Sequence, residues 1–254
     1  MEHQITSVDN EKIKELRKLN QPKYRWKLGL FFVENAVIIR DAMDSGINYG
    51  QLYVTEAFKS READLFEGLV QRGDYFLIDE KVNKSFSNLD TPAGICAVYE
   101  IRENQFAMSD RIIYLNRIND PGNLGTILRS ALAFGFTNIV MDKECADIYN
   151  YKTIQAAKDA IFKLAISIDE DGKVFSSIKK ALPVYATSLQ GGTDLEEIKG
   201  QDKFCLILGN ESHGVDQSLL AQADKLIKIK MTKDIESLNV ASSAAIIFYE
   251  LYKG

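Results

Sequence analysis

Short apolar runs alternate with helical spacing along residues 9–99, which is typical of an α/β fold. The apolar runs predict strands at 30–33, 51–55, 75–78 and 95–99. Between them the spacing predicts helices at 34–46, 56–71 and 79–89. A further short helix, capped by Asp9 or Asn10, is predicted from the near-helical spacing of Ile13, Leu16 and Leu19.

The alternation continues through the second half of the chain. Strands are predicted at 111–115, 138–141, 164–167, 184–187, 204–208 and 225–229. The last helix has the clearest pattern, with apolar side chains at Val240, Ala244, Ile247, Phe248 and Leu251. Because residues 100–109 are polar and lack periodicity, we expect two domains, at residues 1–103 and 104–254.

Composition narrows the class of protein. No apolar run approaches the roughly 20 residues that cross a bilayer, so we expect no membrane span. The first 16 residues are polar and lack the apolar core of a signal peptide, which indicates a cytoplasmic location. Three widely spaced cysteines and two histidines argue against a disulfide framework and against a metal site.

The charge pattern leaves two interpretations open. A net charge of −5 argues mildly against binding to nucleic acids, which usually requires a basic surface. Residues 11–27, however, carry seven basic side chains against two acidic ones. This stretch is either a solvated helix face and loop or a contact with RNA phosphates. The residues proposed for that contact are Arg17, Lys18, Lys23 and Arg25.

Three polar loops follow predicted strands in the second half, where open α/β sheets bind ligands. They are 116–125 (NRINDPGNLG), 209–214 (GNESHG) and 231–239 (MTKDIESLN). The second loop resembles the start of a phosphate-binding loop, but Val215 and Asp216 stand where lysine and serine or threonine are required. No G-x-G-x-x-G motif is present, so a dinucleotide cofactor is disfavoured.

Helix caps explain part of this polarity, but not all of it. Asn123 is predicted to cap a helix at 124–134, and Asn239 or Ser237 to cap the last helix. On the first of these helices Arg129 falls opposite the apolar face and can reach outward. A single arginine that points outward is usually just solvated, so this position alone does not indicate a function. Three such loops together exceed what capping requires and indicate a pocket.

Three motifs, in this order, resemble the SpoU/TrmH family of RNA 2'-O-ribose methyltransferases, within the SPOUT superfamily. They are DPGNLGTILRSALAFG at 120–135, LILGNESHG at 206–214 and IKIKMTKDIESLNVASSAA at 227–245. The N-terminal half, with RKLNQPKYRWKLGLFFVEN and TPAGICAV, is similar to the family's substrate-binding domain.

The resemblance implies a fold and a set of partners. The C-terminal domain would be an α/β SPOUT domain with a parallel sheet and a deep trefoil knot, which is an exception to the rule that chains do not thread. The smaller N-terminal α/β domain would resemble a small ribosomal protein. The expected cofactor is S-adenosylmethionine and the expected substrate is RNA, ribosomal rather than transfer RNA. The expected assembly is a homodimer in which the last helix, with small Ser242 and Ser243, packs closely.

The resemblance also assigns roles to residues. Arg129 would act with an RNA phosphate as base or would stabilise the developing oxyanion. The polar residues that orient Arg129 and the ribose would be Asn123, Glu211, Ser237 and Asn239. The cofactor would be held largely by backbone groups of Leu208, Gly209, Ile229, Met231 and Leu238.

Some positions depart from the family pattern. Lys230 replaces a usual proline, Lys233 and Asn35 each replace a common glycine, and residues 155–159 (QAAKD) replace Arg-Ala-Ser-x-Gly. Two alternatives therefore remain beside an active methyltransferase. One is a non-catalytic RNA-binding relative, and the other is an unrelated α/β enzyme with a nucleotide cofactor.

Overall fold

The computed structural model describes residues 1–102, 106–188, 191–210, 212–232, 234 and 237–252. The chain divides into two compact units. Unit 1 comprises Met1–Arg102 together with Tyr149–Ile154, and unit 2 comprises Glu103–Ile148 and Gln155–Gly254. A six-residue segment from the second half of the chain therefore belongs to unit 1.

Unit 1 is built on a mixed sheet whose described strands run in the order β1-β4-β3-β5-β2. Strands β1, β4 and β3 are parallel, whereas β5 is antiparallel to both β3 and β2. The elements are β1 (Glu2–Ile5), α1 (Glu11–Lys18), α2 (Pro22–Leu28), β2 (Leu30–Val33), α3 (Ala36–Asp44), β3 (Gln51–Thr55), α4 (Glu56–Arg61), α5 (Ala63–Val70), β4 (Tyr75–Ile78), α6 (Glu80–Phe86) and β5 (Ile95–Glu100).

The predicted strands of unit 1 are confirmed, but one further strand and several helices differ from the prediction. Strand β1 and helix α2 were not predicted, because β1 has no alternating apolar pattern and α2 is short and basic. The single helix predicted at 56–71 is wrong, since Glu62 interrupts it with φ −121° and ψ 47°. Helix α3 begins after Asn35, whose side chain accepts hydrogen bonds from the Val37 and Ile38 N–H groups. Asn35, which departs from the family's glycine, therefore serves as a helix cap.

The core of unit 1 joins helices α1 and α6 to the sheet. Ile13 and Leu16 of α1 pack with Val82 and Phe86 of α6 and with Tyr53 of β3, and all five are buried. Burial of each such aliphatic or aromatic side chain contributes about 1.5–3 kcal/mol. The predicted apolar face of the first helix is thus confirmed as its packing face.

Unit 2 is built on a parallel sheet whose described strands run in the order β10-β12-β9-β11-β6-β7-β8. Its elements are β6 (Arg111–Leu115), α7 (Pro121–Ala133), β7 (Asn138–Asp142), α8 (Tyr151–Ala157), α9 (Ala160–Lys163), β8 (Ala165–Asp169), α10 (Lys173–Ala181), β9 (Val184–Thr187), β10 (Thr193–Asp194), a 3-10 helix (Leu195–Ile198), β11 (Phe204–Leu208), α11 (Gln217–Leu220), β12 (Lys225–Lys228) and α12 (Val240–Leu251). Helix α8 starts within the segment that belongs to unit 1.

Because the described strands of unit 2 are parallel, their carboxyl ends lie at the same edge of the sheet. The predicted strands are confirmed, with shifts of a residue or two at their ends. Helix α12 packs against α7 and carries the predicted buried face, which includes Val240, Ala244 and Phe248. Arg111 places its guanidinium 4.3 Å from the Phe136 ring centroid and donates to the Leu251 carbonyl, which fastens the end of α12 to the start of β6.

The helices in the described part of the chain include none with both the length and the apolar character of a membrane span.

Candidate active site

Two of the three polar loops leave neighbouring strands at the same edge of the unit 2 sheet. Strands β6 and β11 are paired in parallel, with Leu115 opposite Leu208. The Asn116 N–H donates to the Leu208 carbonyl at 2.9 Å, so the pairing extends one residue beyond β6. The first and second loops therefore begin side by side, as the sequence predicts for a site at strand ends.

A buried asparagine ties these loops together. Asn116 is only 2 % exposed, and its Nδ2 donates to Asp142 at 2.7 Å and to Asp216 at 3.0 Å. Its Oδ1 accepts from the Asp216 N–H at 2.8 Å. Because every polar atom of this carboxamide has a partner, its burial is compensated, and the ends of β6 and β7 are held to the segment after the second loop.

Arg117 extends this network towards the surface. Its guanidinium lies 3.0 Å from Asp216 and 2.9 Å from Glu144, and its own N–H donates to Asp142 at 2.9 Å. Its φ of 57° is the left-handed conformation, which costs free energy for a residue with a Cβ. The ion pairs and the Asp142 contact hold the backbone in that conformation.

The network favours the charged state of Asp216. The hydrogen bond from Asn116, together with the smaller effect of the one from Arg117, lowers the pKa of Asp216 from its ordinary value. The hydrogen bond to Asp216 in turn raises the pKa of Arg117. A lowered pKa means that the contribution to stability is present above the ordinary pKa and is lost as the pH falls through the folded-state pKa.

The sequence patterns did not single out Asn116, Arg117, Asp142 or Asp216. Their shared signal is position, since three of them stand at or just beyond the carboxyl end of β6 or β7. Asp216 was noted only as evidence against a phosphate-binding loop. Polar residues directly after parallel strands were therefore the feature that could have revealed the network.

The second loop doubles back tightly. The N–H of Asn210 donates to the Gly214 carbonyl at 3.0 Å, and the N–H of Gly214 donates to the Asn210 carbonyl at 2.9 Å. The Asn210 side chain accepts from the Ser212 N–H at 2.8 Å and donates to the Arg117 carbonyl at 2.9 Å. Gly209 leaves no room for a side chain, since a Cβ there would lie 2.3 Å from backbone atoms of Gly214 and Val215.

The prediction that Asn123 caps the helix after the first loop is wrong. Helix α7 begins three residues earlier than predicted, at Pro121, and the Asp120 side chain accepts from the Asn123 N–H at 2.7 Å. Proline is well suited to the first helical position because it has no N–H to satisfy and its φ is already helical. Asn123 therefore lies in the first turn, where its side chain is available for another contact.

That contact joins the first loop to the third. The Asn239 Nδ2 donates to the Asn123 Oδ1 at 3.0 Å, across 116 positions of sequence. The Asn239 Oδ1 meanwhile accepts from the Ala241 N–H at 2.9 Å and the Ser242 N–H at 3.3 Å. Asn239, rather than Ser237, is thus the cap of α12, and its remaining amide donor reaches the site.

Arg129 is exposed on α7, in line with Thr126 and Ala133, as its position opposite Leu124 and Leu128 predicts. It lies six residues beyond Asn123, or about 9 Å along the helix axis. Helical side chains generally point back towards the N-terminus, so we expect the long side chain of Arg129 to reach towards the end of α7 that carries Asn123. Ser237 is also exposed, and Glu211 lies outside the described residues.

The residues expected to hold a cofactor differ in exposure. Leu208 is buried at the end of β11, Ile229 and Leu238 are half-buried, and Met231 is 36 % exposed. Ile229 is the residue that follows β12. Within the described residues, no group of three or more His, Cys, Asp or Glu side chains is arranged to hold a metal ion.

The four basic residues proposed to contact RNA fall into two pairs. Lys18 and Lys23 are exposed. Arg25 is only 4 % exposed and donates to the Leu19 carbonyl at 2.7 Å, and Arg17 donates to the Val8 carbonyl. The arginines thus support the fold of unit 1, whereas the lysines face outward.

Comparison with known proteins shows which family this chain belongs to. Residues 110–249 match the model of the SpoU rRNA Methylase family. The chain belongs to this family. Residues 10–97 match a second model, the MRM3-like substrate binding domain. The family resemblance expected from the three motifs is confirmed, and the alternative of an unrelated α/β enzyme is excluded.

Full-length relatives support the same assignment to the SpoU family. The chain is 31 % identical to the 23S rRNA (guanosine(2553)-2'-O)-methyltransferase RlmP of Bacillus subtilis strain 168, with 98 % of each chain covered. It is similar to the crystal structure of an rRNA methyltransferase from Sinorhizobium meliloti, at 28 % identity and a TM-score of 0.85 over 98 % of this chain and 97 % of that one. The AdoMet-bound form of that S. meliloti protein has a TM-score of 0.84, at the same identity and coverage.

The structure shows the surroundings of several positions at which the sequence was expected to depart from the family pattern. Lys230, which replaces a usual proline, is exposed just after β12. In the stretch at 155–159, Lys158 adopts φ 57° and Asp159 forms an ion pair with Lys163. Lys233 lies outside the described residues.

We expect Gly209→Ala to lower the free energy of unfolding by about 1–3 kcal/mol, because the added methyl overlaps the backbone of Gly214 and Val215. Chemical denaturation measures this loss. Gly73→Ala is the matched control, since a Cβ at Gly73 meets no atom within 4 Å. Equal stability of the two variants would contradict the tight packing of the second loop.

We expect Asn239→Ser to keep the cap of α12 but to lose the donor to Asn123. Serine caps helices as well as asparagine does but has no amide N–H₂ group. The loss should be about 0.5–1.5 kcal/mol in the wild-type background. It should shrink towards zero in an Asn123→Ala background, as measured by a double-mutant cycle. An equal loss in both backgrounds would remove the contact between the loops.

Proposed function

We propose that this chain transfers a methyl group from S-adenosylmethionine to a ribose 2'-hydroxyl of ribosomal RNA. The observation that carries the proposal is the hydrogen bond between Asn123 and Asn239, which joins two family motifs, the first of which also carries the exposed Arg129. The chain belongs to the SpoU family, and its N-terminal half matches the model of a substrate-binding domain. Ribosomal RNA is favoured over transfer RNA because the B. subtilis relative is named for 23S rRNA.

The second and third loops suit S-adenosylmethionine. The cofactor has an apolar adenine face and a positive sulfonium, so it needs apolar contacts and backbone groups and no cationic phosphate clamp. Leu208 and Gly209 would contribute backbone groups, and the half-buried Ile229 and Leu238 provide apolar surface. Together with Met231, these residues would hold the cofactor. When bound, S-adenosylmethionine supplies an electrophilic methyl group.

The site must also position the ribose and stabilise negative charge on its 2'-oxygen. A ribose hydroxyl is a very weak acid, so negative charge that develops on it needs a cation or strong hydrogen-bond donors nearby. Arg129 supplies a guanidinium with several donors, and a phosphate of the RNA is a suitable acceptor for the hydroxyl proton. Asn123, Ser237 and Asn239 orient the guanidinium and the sugar, with Glu211 as a further polar group.

The joined motifs favour an active enzyme over an RNA-binding relative without catalysis. Asn239 needs only its Oδ1 to cap α12, yet its Nδ2 is committed to Asn123. The sequence also retains the whole set of polar residues assigned to catalysis, namely Asn123, Arg129, Glu211, Ser237 and Asn239. The AdoMet-bound S. meliloti relative supports cofactor binding by the shared fold.

We further propose that the chain acts as a homodimer and that its C-terminal segment forms a trefoil knot. The support for the dimer is an exposed apolar strip on α12, where Ile246 is 40 % and Tyr249 is 65 % exposed. Tyr252 and Phe134 extend the strip, with ring centroids 5.9 Å apart. Exposed apolar clusters of this kind mark protein interfaces. Residues 1–103 and 104–254 would be the RNA-binding and catalytic domains.

We expect Arg129→Ala to reduce methyl transfer to RNA by at least about 100-fold, the effect of removing a donor that stabilises an oxyanion. Affinity for S-adenosylmethionine should stay within a few-fold, because Arg129 acts on the ribose. Transfer is measured with labelled cofactor and rRNA from cells that lack this protein, and binding is measured by calorimetry. Ser130→Ala on the same helix is the control. Unchanged turnover in Arg129→Ala would exclude the proposed role.

We expect Ile246→Glu combined with Tyr249→Glu to convert the dimer to a monomer, since buried like charges would oppose association. Light scattering should show the halved mass, and circular dichroism should show that the helices persist. Lys180→Glu, at an exposed position of α10 in the same unit, is the control because it changes the net charge by the same amount. A double variant with the mass of the wild type would place the dimer contact elsewhere.

A further inference from the structure

Two adjacent side chains of helix α2, Arg25 and Trp26, differ sharply in exposure. Arg25 turns inward and is 4 % exposed, whereas Trp26, the single tryptophan of the chain, is 45 % exposed. Lys23 and Lys27 flank it and are exposed as well. Large aromatic side chains are usually mostly buried, so a tryptophan presented beside two lysines is a candidate contact surface.

The segment Tyr149–Ile154 completes this surface within unit 1. Tyr149 is buried and meets the Trp26 ring edge-on, with 5.8 Å between the ring centroids. Tyr149 also packs against the buried Phe31, with 4.4 Å between the ring centroids. The ring that contacts Trp26 is therefore itself held in the core. Tyr151 is 36 % exposed, and the Lys152 Nζ lies 5.9 Å from its ring centroid. We call Trp26, Tyr149 and Tyr151 with Lys23, Lys27 and Lys152 the aromatic face.

A small polar pocket adjoins the aromatic face. Tyr149 and Tyr151 line it together with Asn20, Arg25, Asn88 and Asn150, and its apolar wall is Leu19 and Phe32. The Asn88 Nδ2 donates to the Asn20 Oδ1 at 2.6 Å, which fixes the orientation of both amides. Amide groups beside aromatic rings are the combination that proteins use to read unpaired bases, by stacking on the ring and by hydrogen bonding at the base edge.

The charge of these segments matches a polyanion. Residues 20–29 and 149–154 together contain four basic side chains and no acidic one, although the whole chain has a net charge of −5. Local positive charge on an acidic protein concentrates the attraction for phosphates at one place. A peptide or a second protein copy would not by itself require this combination of lysines and exposed rings.

We propose that the aromatic face binds an unpaired nucleotide of the RNA substrate, with the base stacked on Trp26 and the phosphates next to Lys23, Lys27 and Lys152. This inference rests on the proposed RNA methylation and adds to it the class of RNA structure that is recognised. Stacking on exposed rings requires bases outside a duplex, so the substrate would be a loop, bulge or single-stranded end. Trp26 would act on substrate binding and not on the transfer step.

Because Trp26 is the only tryptophan, its fluorescence reports on this face directly. We expect a single-stranded oligoribonucleotide to quench the emission of the full-length protein in a saturable titration. A perfect duplex of the same sequence should quench it much less. Equal quenching by the two RNAs, or no quenching by the single strand at saturation, would overturn the proposal.

A variant separates stacking from a merely structural role. We expect Trp26→Ala to raise the KM for rRNA by roughly 5- to 150-fold, the effect of losing one stacked base, with kcat nearly unchanged. Trp26→Phe should restore part of the affinity. Met108→Ala is the matched control, because Met108 is exposed to the same 45 %. Affinity for S-adenosylmethionine, measured by calorimetry, should be the same in all variants.

The failure of this inference can be distinguished from the failure of the proposed function. If the wild type methylates rRNA and Trp26→Ala leaves the KM unchanged, the aromatic face is not the contact, and the methyltransferase activity stands. If the wild type transfers no methyl group to any RNA, the proposed function fails whatever the fluorescence shows. If Trp26→Ala alters the mass in light scattering but not the RNA affinity, the face is an interface between copies and the inference is overturned.

Discussion

The arrangement of the candidate site depends on one buried carboxamide. Asn116 holds the carboxylates of Asp142 and Asp216 and thereby fixes the ends of β6 and β7 against the segment that follows the second loop. A buried polar group without a hydrogen-bond partner raises the free energy of the folded state, whereas a fully hydrogen-bonded one makes its surroundings rigid. This network therefore favours a single arrangement of the loops. Arg117 can then retain its left-handed backbone, because Asp142 and Asp216 hold it on both sides.

The residues proposed to carry the chemistry lie outside this buried network. Asn123 and Asn239 meet through side chains whose backbones are already placed by helices α7 and α12. Each helix start is held by its own cap, Asp120 for α7 and Asn239 for α12. Preorganised donors of this kind stabilise developing charge without reorganisation during the reaction. Structural and chemical tasks are thus divided between neighbouring residues of the same loops.

Unit 1 shows a similar division between structure and contact. Arg17 and Arg25 donate to backbone carbonyls of the same unit, which secures the segment around α1 and α2. The lysines and Trp26 are left at the surface, where the proposed contact with phosphates and bases would use them. Arginine suits the first task because its guanidinium carries several donors in a fixed plane.

The sequence by itself determined the alternation of strands and helices, the face of α7 that carries Arg129, and the family to which the chain belongs. These features are local, since each depends on the spacing of side chains within one element or motif. Only the tertiary structure decided that Asp120 caps α7, that Arg25 turns inward, and that Asn116 meets Asp216 one hundred positions away. Such contacts depend on the strand order β9-β11-β6-β7 and on which side of a short helix faces the core, and periodicity along the chain encodes neither.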